Sequence, residues 1–220
     1  MTLLAIAVVP VILILIYVNN RDKYEKEPKK LLIKAVAAGA VIVIPIYFIE
    51  VFLGELYSSP DVIHQAAYNA FVVAAFTEEV FKYLAFYFLI WKNKNFNEFF
   101  DGIIYAVFIS MGFALIENIL YVFESGHGVG VMRALTAVPG HALFGVAMGY
   151  YFGLARFIET KSAYNLKMAL IVPVILHGIY DFILMSQNGW LLLLFIPYLI
   201  YMWIAGFRKM RSHSDDSQFK

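Results

Sequence analysis

The sequence predicts an all-α, polytopic transmembrane bundle of about seven spans, and three observations carry that expectation. Hydrophobic residues make up 62% of the 220 residues, with a mean hydropathy of +0.73, against about 45–50% apolar in soluble domains. They fall in successive runs, most of them near the ~20 residues that a helix needs to cross the hydrocarbon. Lysine and arginine are confined almost entirely to alternate connections between those runs, the charge pattern of a multi-pass chain. The lipid bilayer is therefore the first partner. A net charge of +1 argues against a nucleic-acid partner, and the absence of cysteine excludes disulfides, thiolate chemistry and Cys-ligated metals.

Residues 1–220 read as one integral membrane domain without internal repeats. The first span, about 2–18, has no charged residue before it and no small-residue cleavage site after it, so it reads as retained rather than as a signal peptide. A charged linker ending at Pro28 precedes the second span, about 31–53, in which Pro45 is a candidate kink. The third, about 66–91, carries Glu78, Glu79 and Lys82 in an otherwise apolar run. Asp101-Gly102 reads as the N-cap of the fourth, about 101–123. A glycine-rich loop over 124–130 leads to the fifth, about 131–155. The sixth and seventh are about 168–185 and 190–207, followed by a polar tail. Tyr57, Trp91 and Trp190 read as interfacial anchors.

One side of this topology collects fifteen Lys and Arg residues; the other holds Arg133 alone, with Lys82 inside the membrane. The expected orientation is N-terminus outside and C-terminus cytoplasmic. Counting 1.5 Å of rise per residue, Glu78 and Glu79 lie roughly 18–20 Å below the outer surface, Glu117 about 10 Å, His141 about 15 Å, His177 roughly 13 Å and Asp181 about 7 Å. Four helices of alternating direction thus place their ionisable residues in the outer half of the bilayer. Each charge there costs at least ~2.5–3.5 kcal/mol, which calls for partners and a reason.

Spacing supplies some partners. Lys82 is one turn beyond Glu78 (i+4) and Glu79 (i+3), an ion pair that neutralises one carboxylate and leaves a surplus. His177 and Asp181 are i,i+4 on one face, so the carboxylate can orient the imidazole. His141 continues into Gly145, Gly149 and Gly153 at four-residue spacing, a small-residue ridge that faces protein.

Glu78-Glu79-x-x-Lys82, Phe113-x-x-x-Glu117-Asn118, Pro139-Gly140-His141-Ala142 and His177-x-x-x-Asp181 resemble, in order, the motifs of the PrsW intramembrane proteases. Those proteases are related to the CAAX-type prenyl endopeptidases and bacteriocin-processing membrane proteases. The cousins carry His at the second motif and usually Asn at the end of the fourth, where this chain has Glu117 and Asp181. The resemblance implies a multi-pass protease of bacterial, mostly Gram-positive, cell membranes. It implies the first, extracytoplasmic-side cut in a single-pass anti-sigma factor under envelope stress, after which a second protease acts and the sigma factor is released.

With no Cys, and Ser110 displaced from Glu117 without a His on its helix, the expected chemistry is water activated by Glu78 or Glu79. His141 and His177 then stabilise the oxyanion or, with Glu117, hold a divalent ion such as zinc. The expected catalytic set is Glu78, Glu79, Glu117, His141, His177 and Asp181, with Lys82 as ion pair. Nothing in the sequence assigns substrate-binding residues. A structural ion-pair network and a proton- or cation-coupled transporter are the competing readings of the same charges. A CAAX-type endopeptidase competes as an enzyme. Asp101 is expected to act as a helix cap only, Arg133 to meet lipid headgroups, and His64, His127 and His213 to have no role.

Overall fold

A chain in hydrocarbon must satisfy its backbone hydrogen bonds internally, and these apolar runs do so as helices. The computed structural model describes residues 2–217 and 219, and among them there is no strand. The helices are α1 (Thr2–Arg21), α2 (Lys29–Leu56), α3 (Val62–Tyr68), α4 (Thr77–Leu89), α5 (Phe99–Leu135), α6 (Ala137–Phe157), α7 (Ser162–Met185), α8 (Gly189–Leu193) and α9 (Phe195–Asp215). Five stretches are long and apolar enough to cross a membrane: Thr2–Arg21, Lys29–Leu56, Phe99–Phe157, Glu159–Met185 and Gly189–Asp215. The count falls below seven for two reasons. The 59-residue stretch holds α5 and α6, separated only by Thr136. The expected third span carries three charges and is broken in geometry.

That break matters for the site. From Val62 to Leu89 the backbone is helical throughout, but Asn69–Phe76 has π geometry, directly before Thr77-Glu78-Glu79. A π segment adds a residue per turn and re-aims everything after it, and such segments recur at functional sites. The Thr77 hydroxyl donates to the Val72 carbonyl at 3.4 Å within it.

The expected loop at 124–130 is helical instead. α5 runs through it to Leu135, bent at Gly126, whose φ of 81° is left-handed backbone that glycine adopts without a side-chain penalty. The following helix consequently starts at Ala137 rather than near 131. α7 begins earlier than expected, at Ser162, and α9 extends to Asp215. His213 is therefore not in a free tail. It is buried, with its Nε2 2.9 Å from the Tyr150 carbonyl. His127 also lies in helix, 3.1 Å from the Thr2 hydroxyl.

α5 is the central element, packed chiefly on α6, then on α2 and α1. Its face from Phe100 to Ala114 is buried without interruption. Small residues allow this closeness. A Cβ on Gly149 would overlap the Gly102 carbonyl, and one on Gly39 would overlap the carbonyl of Ile109. The ridge below His141 is thus the seam by which α6 seats on α5. α7 approaches the π segment in the same way, its Gly178 lying against the Phe71 ring.

Candidate active site

α4 turns Glu78, Glu79 and Lys82 inward, where all three are buried, Glu79 fully so (0% exposed). The Lys82 ammonium donates to Glu78 Oε2 at 3.0 Å and to Glu79 Oε1 at 2.7 Å, realising the one-turn spacing. It also lies 3.3 Å from His141 Nδ1 on α6 and over the Phe113 ring at 4.3 Å. On α7, His177 Nδ1 is 3.1 Å from Glu79 Oε1 and its Nε2 is 3.1 Å from Asp181 Oδ2. His141 Nε2 is 2.8 Å from Glu117 Oε2 on α5. All six expected catalytic residues and Lys82 therefore join one connected network from four helices.

Donor chemistry assigns the protons. An ammonium only donates, so His141 Nδ1 accepts from Lys82 and the ring proton sits on Nε2, donating to Glu117. Both nitrogens of His177 face carboxylate oxygens, which only accept when ionised, so both donate.

Arg133 corrects an expectation. It does not point to headgroups but forms an ion pair with Glu117 Oε2 at 2.8 Å, donates from Nε to Asn118 Oδ1 at 3.1 Å, and covers the Tyr121 ring. Asn118 in turn donates to the Ala7 carbonyl of α1 at 3.0 Å. The bend at Gly126 brings Arg133 back alongside Glu117, and a stretch expected as loop concealed that pairing. Asp101 caps the helix as expected, but from a different position, closing a capping box. The N-cap is Glu98, and Asp101 occupies the third helical position, where its Oδ2 accepts from the backbone N–H of Asn97 and Glu98.

The network opens on a cavity of about 560 Å³. Glu78, Glu117, His141, His177 and Asp181 line it; Glu79 and Lys82 do not. Glu50 of α2, absent from the expected set, also lines it and lies within electrostatic reach of Glu78 and Glu117. Its only sequence signal was a lone carboxylate inside an apolar run.

Glu78, Glu79, His141 and His177 bring four ligand atoms within 4.8 Å of one another, a donor set that suits a divalent ion. Glu79 Oε2 is buried without a hydrogen-bond partner beside it. The ion-binding candidates expected were Glu117, His141 and His177. The structure instead places Glu117 on the far nitrogen of His141, outside the converging group, and brings in the α4 carboxylates.

A multi-pass helical protein with carboxylates and imidazoles converging on a cavity has the makings of a membrane-embedded hydrolase, and sequence relationships establish which. Residues 27–205 match the family described as PrsW family intramembrane metalloprotease. The chain is 36% identical to Protease PrsW of Bacillus subtilis over 95% of this chain and 94% of that protein. It is 35% identical to Protease PrsW of Geobacillus kaustophilus over 96% of this chain and 91% of that one. Protease PrsW of Clostridioides difficile is 34% identical, over 98% and 93% respectively. No solved structure matches. The chain belongs to the PrsW intramembrane protease family, a multi-pass protein of the bacterial membrane whose substrate is a protein within that membrane. The relationship favours a peptidase over the transporter reading.

Proposed function

We propose that this protein makes the first cut in a single-pass anti-sigma factor, near the extracytoplasmic face, and so starts sigma-factor release under envelope stress. In this reading the chain crosses the bilayer seven times with its N-terminus outside. α5 and α6 supply separate spans, and α3, the π segment and α4 together supply one. The charge asymmetry of the connections supports that orientation.

The observation that carries the catalytic reading is that Glu78, alone of the acidic pair, faces the cavity. Glu78 is the general base that takes a proton from water as it attacks the scissile carbonyl. His177, which carries both ring protons, lies on the same wall with His141 and stabilises the oxyanion through its positive charge. Asp181 and Glu117, on the same cavity wall, orient these two imidazoles. Glu79, enclosed between Lys82 and His177, fixes both rather than meeting substrate. A divalent ion, if bound, would be held by Glu78, Glu79, His141 and His177, and would polarise the carbonyl and acidify water.

The test is co-expression with a tagged single-pass anti-sigma factor from the same genome, comparing wild type with Glu78→Gln, Glu79→Gln and His177→Ala at equal membrane abundance. Clipping by the wild type alone supports the reading. Equal clipping by every variant refutes the site, and clipping by none refutes the substrate.

A further inference from the structure

The Lys82 ammonium sits where a metal ion would have to sit. Three of the four converging donors, Glu78 Oε2, Glu79 Oε1 and His141 Nδ1, surround Nζ at 3.0, 2.7 and 3.3 Å. The fourth, His177 Nδ1, lies 3.1 Å from that same Glu79 oxygen. A zinc ion needs those lone pairs at about 2.0–2.2 Å. The lone pair of His141 Nδ1 that would bind it is the one that accepts from Lys82. Phe113 closes another side of the ammonium by a cation–π contact, a neighbour suited to a soft monocation and one that offers a metal no donor.

We infer that Lys82 is the resident cation of this site and competes with a divalent metal ion for the donors of Glu78, Glu79 and His141. The two compete: an ammonium and a dication between the same two carboxylates repel at contact distance, and the single lone pair of His141 Nδ1 cannot serve both. Lys82 is also 1% exposed and packed among Glu78, Glu79, His141 and Phe113, so an ion entering among these donors must displace it. With Lys82 in place, positive charge for the pair comes from the polypeptide, and Glu78 keeps an oxygen toward the cavity for water. Lys82 is thus a positioning residue that selects metal-free glutamate chemistry in a family described as metalloproteases.

The inference rests on reading this cluster as the active site. Its readout is metal content, which requires no substrate, so its failure is separable from a failure to cut. Wild type, Lys82→Met, Lys82→Arg and the double variant Lys82→Met/His177→Ala would be purified, stripped with chelator and titrated with zinc. Bound metal would be measured by mass spectrometry and affinity by competition with a chromophoric chelator. The expected result is no zinc retained by wild type or Lys82→Arg, and one zinc per chain in Lys82→Met. The double variant, short of one of the four donors, should bind zinc more weakly than Lys82→Met. Stoichiometric zinc in the wild type, or affinity unchanged by Lys82→Met, overturns the inference. If Lys82→Met does not accumulate without added zinc, accumulation restored by zinc in the growth medium supports the inference. Failure to be restored, together with zinc binding by wild type or Lys82→Arg, overturns it.

Discussion

Two clusters of buried carboxylates lie along α5, one at its start and one at its middle, and they differ in the cations that face them. Around Glu117, four carboxylates meet Lys82, Arg133 and His177, and the group opens on a cavity. Sixteen residues back along the helix, about 24 Å, Asp22, Glu27, Glu98 and Asp101 are equally buried. Nearby, the ammonium of Lys26 caps the carbonyls of Asn19 and Asp22 at the end of α1. Glu27 there accepts from the Tyr105 hydroxyl, and Glu98 from Ser217 of the tail. Burial pushes the Asp22 carboxyl up from 3.8 to about 7, against the pull of Lys26 and helped by Glu98 and Glu27. Burial raises Glu27 and Glu98 in the same direction. In the first cluster the carboxylates are paired directly with cations. The second is held mainly by hydrogen bonds from hydroxyl and backbone groups, and it fastens the α1–α2 linker and the tail to the start of α5.

The comparison is broken most sharply at Glu78. Glu78→Gln keeps the shape and hydrogen-bonding reach but removes the base, so cleavage should fall by about 10²–10⁴. Membrane abundance should stay unchanged, as read by clipping of the tagged substrate against an immunoblot of the enzyme. A milder break comes from unbalancing the same cluster. Arg133→Gln leaves Glu117 with His141 alone, and cleavage should drop by roughly tenfold or more, with a lower thermal midpoint in detergent; an unchanged rate would mean that Arg133 serves packing only.

The acidic cluster should respond in stability and to pH. The folded state holds the Asp22 proton more tightly than the unfolded chain, so wild-type stability falls as pH rises from about 4 to about 7 and is level above. Asp22→Asn cannot titrate. Its melting temperature should match wild type near pH 4 and exceed it increasingly up to pH 7; a constant difference across that range would show that Asp22 is not the titrating group. The smallest effect belongs to Tyr105→Phe. Losing the hydroxyl that donates to Glu27 should cost about 0.5–1.5 kcal/mol in denaturant unfolding, with cleavage unaffected. Lost cleavage there would link the two clusters.

Much of the site was legible because a charge in hydrocarbon is too costly to be incidental. Glu78, Glu79, Lys82, His141 and His177 stand out from their runs on that ground alone, and helical spacing correctly paired Lys82 with both glutamates and His177 with Asp181. The glycine ridge after His141 announced the close seam with α5. Each of these signals is local, set by a period of 3.6 residues and by the dielectric of the membrane.

What the sequence by itself determined, then, is that these segments are helices, which residues need partners, and which partners one turn away can serve. Only the tertiary structure decided the rest. It placed His141 against an ammonium 59 residues earlier in the chain, moved the metal-type donor set from Glu117 to the α4 carboxylates, and folded Arg133 back onto Glu117 through the bend at Gly126. It also buried Asp22, Glu27 and Glu98, which sit in connections that read as solvated loops. The physical reason is common to all of them. Burial and neutralisation depend on which distant helices meet, and that is settled by packing small residues and filling volume across the bundle, for which no local period in the chain carries a record.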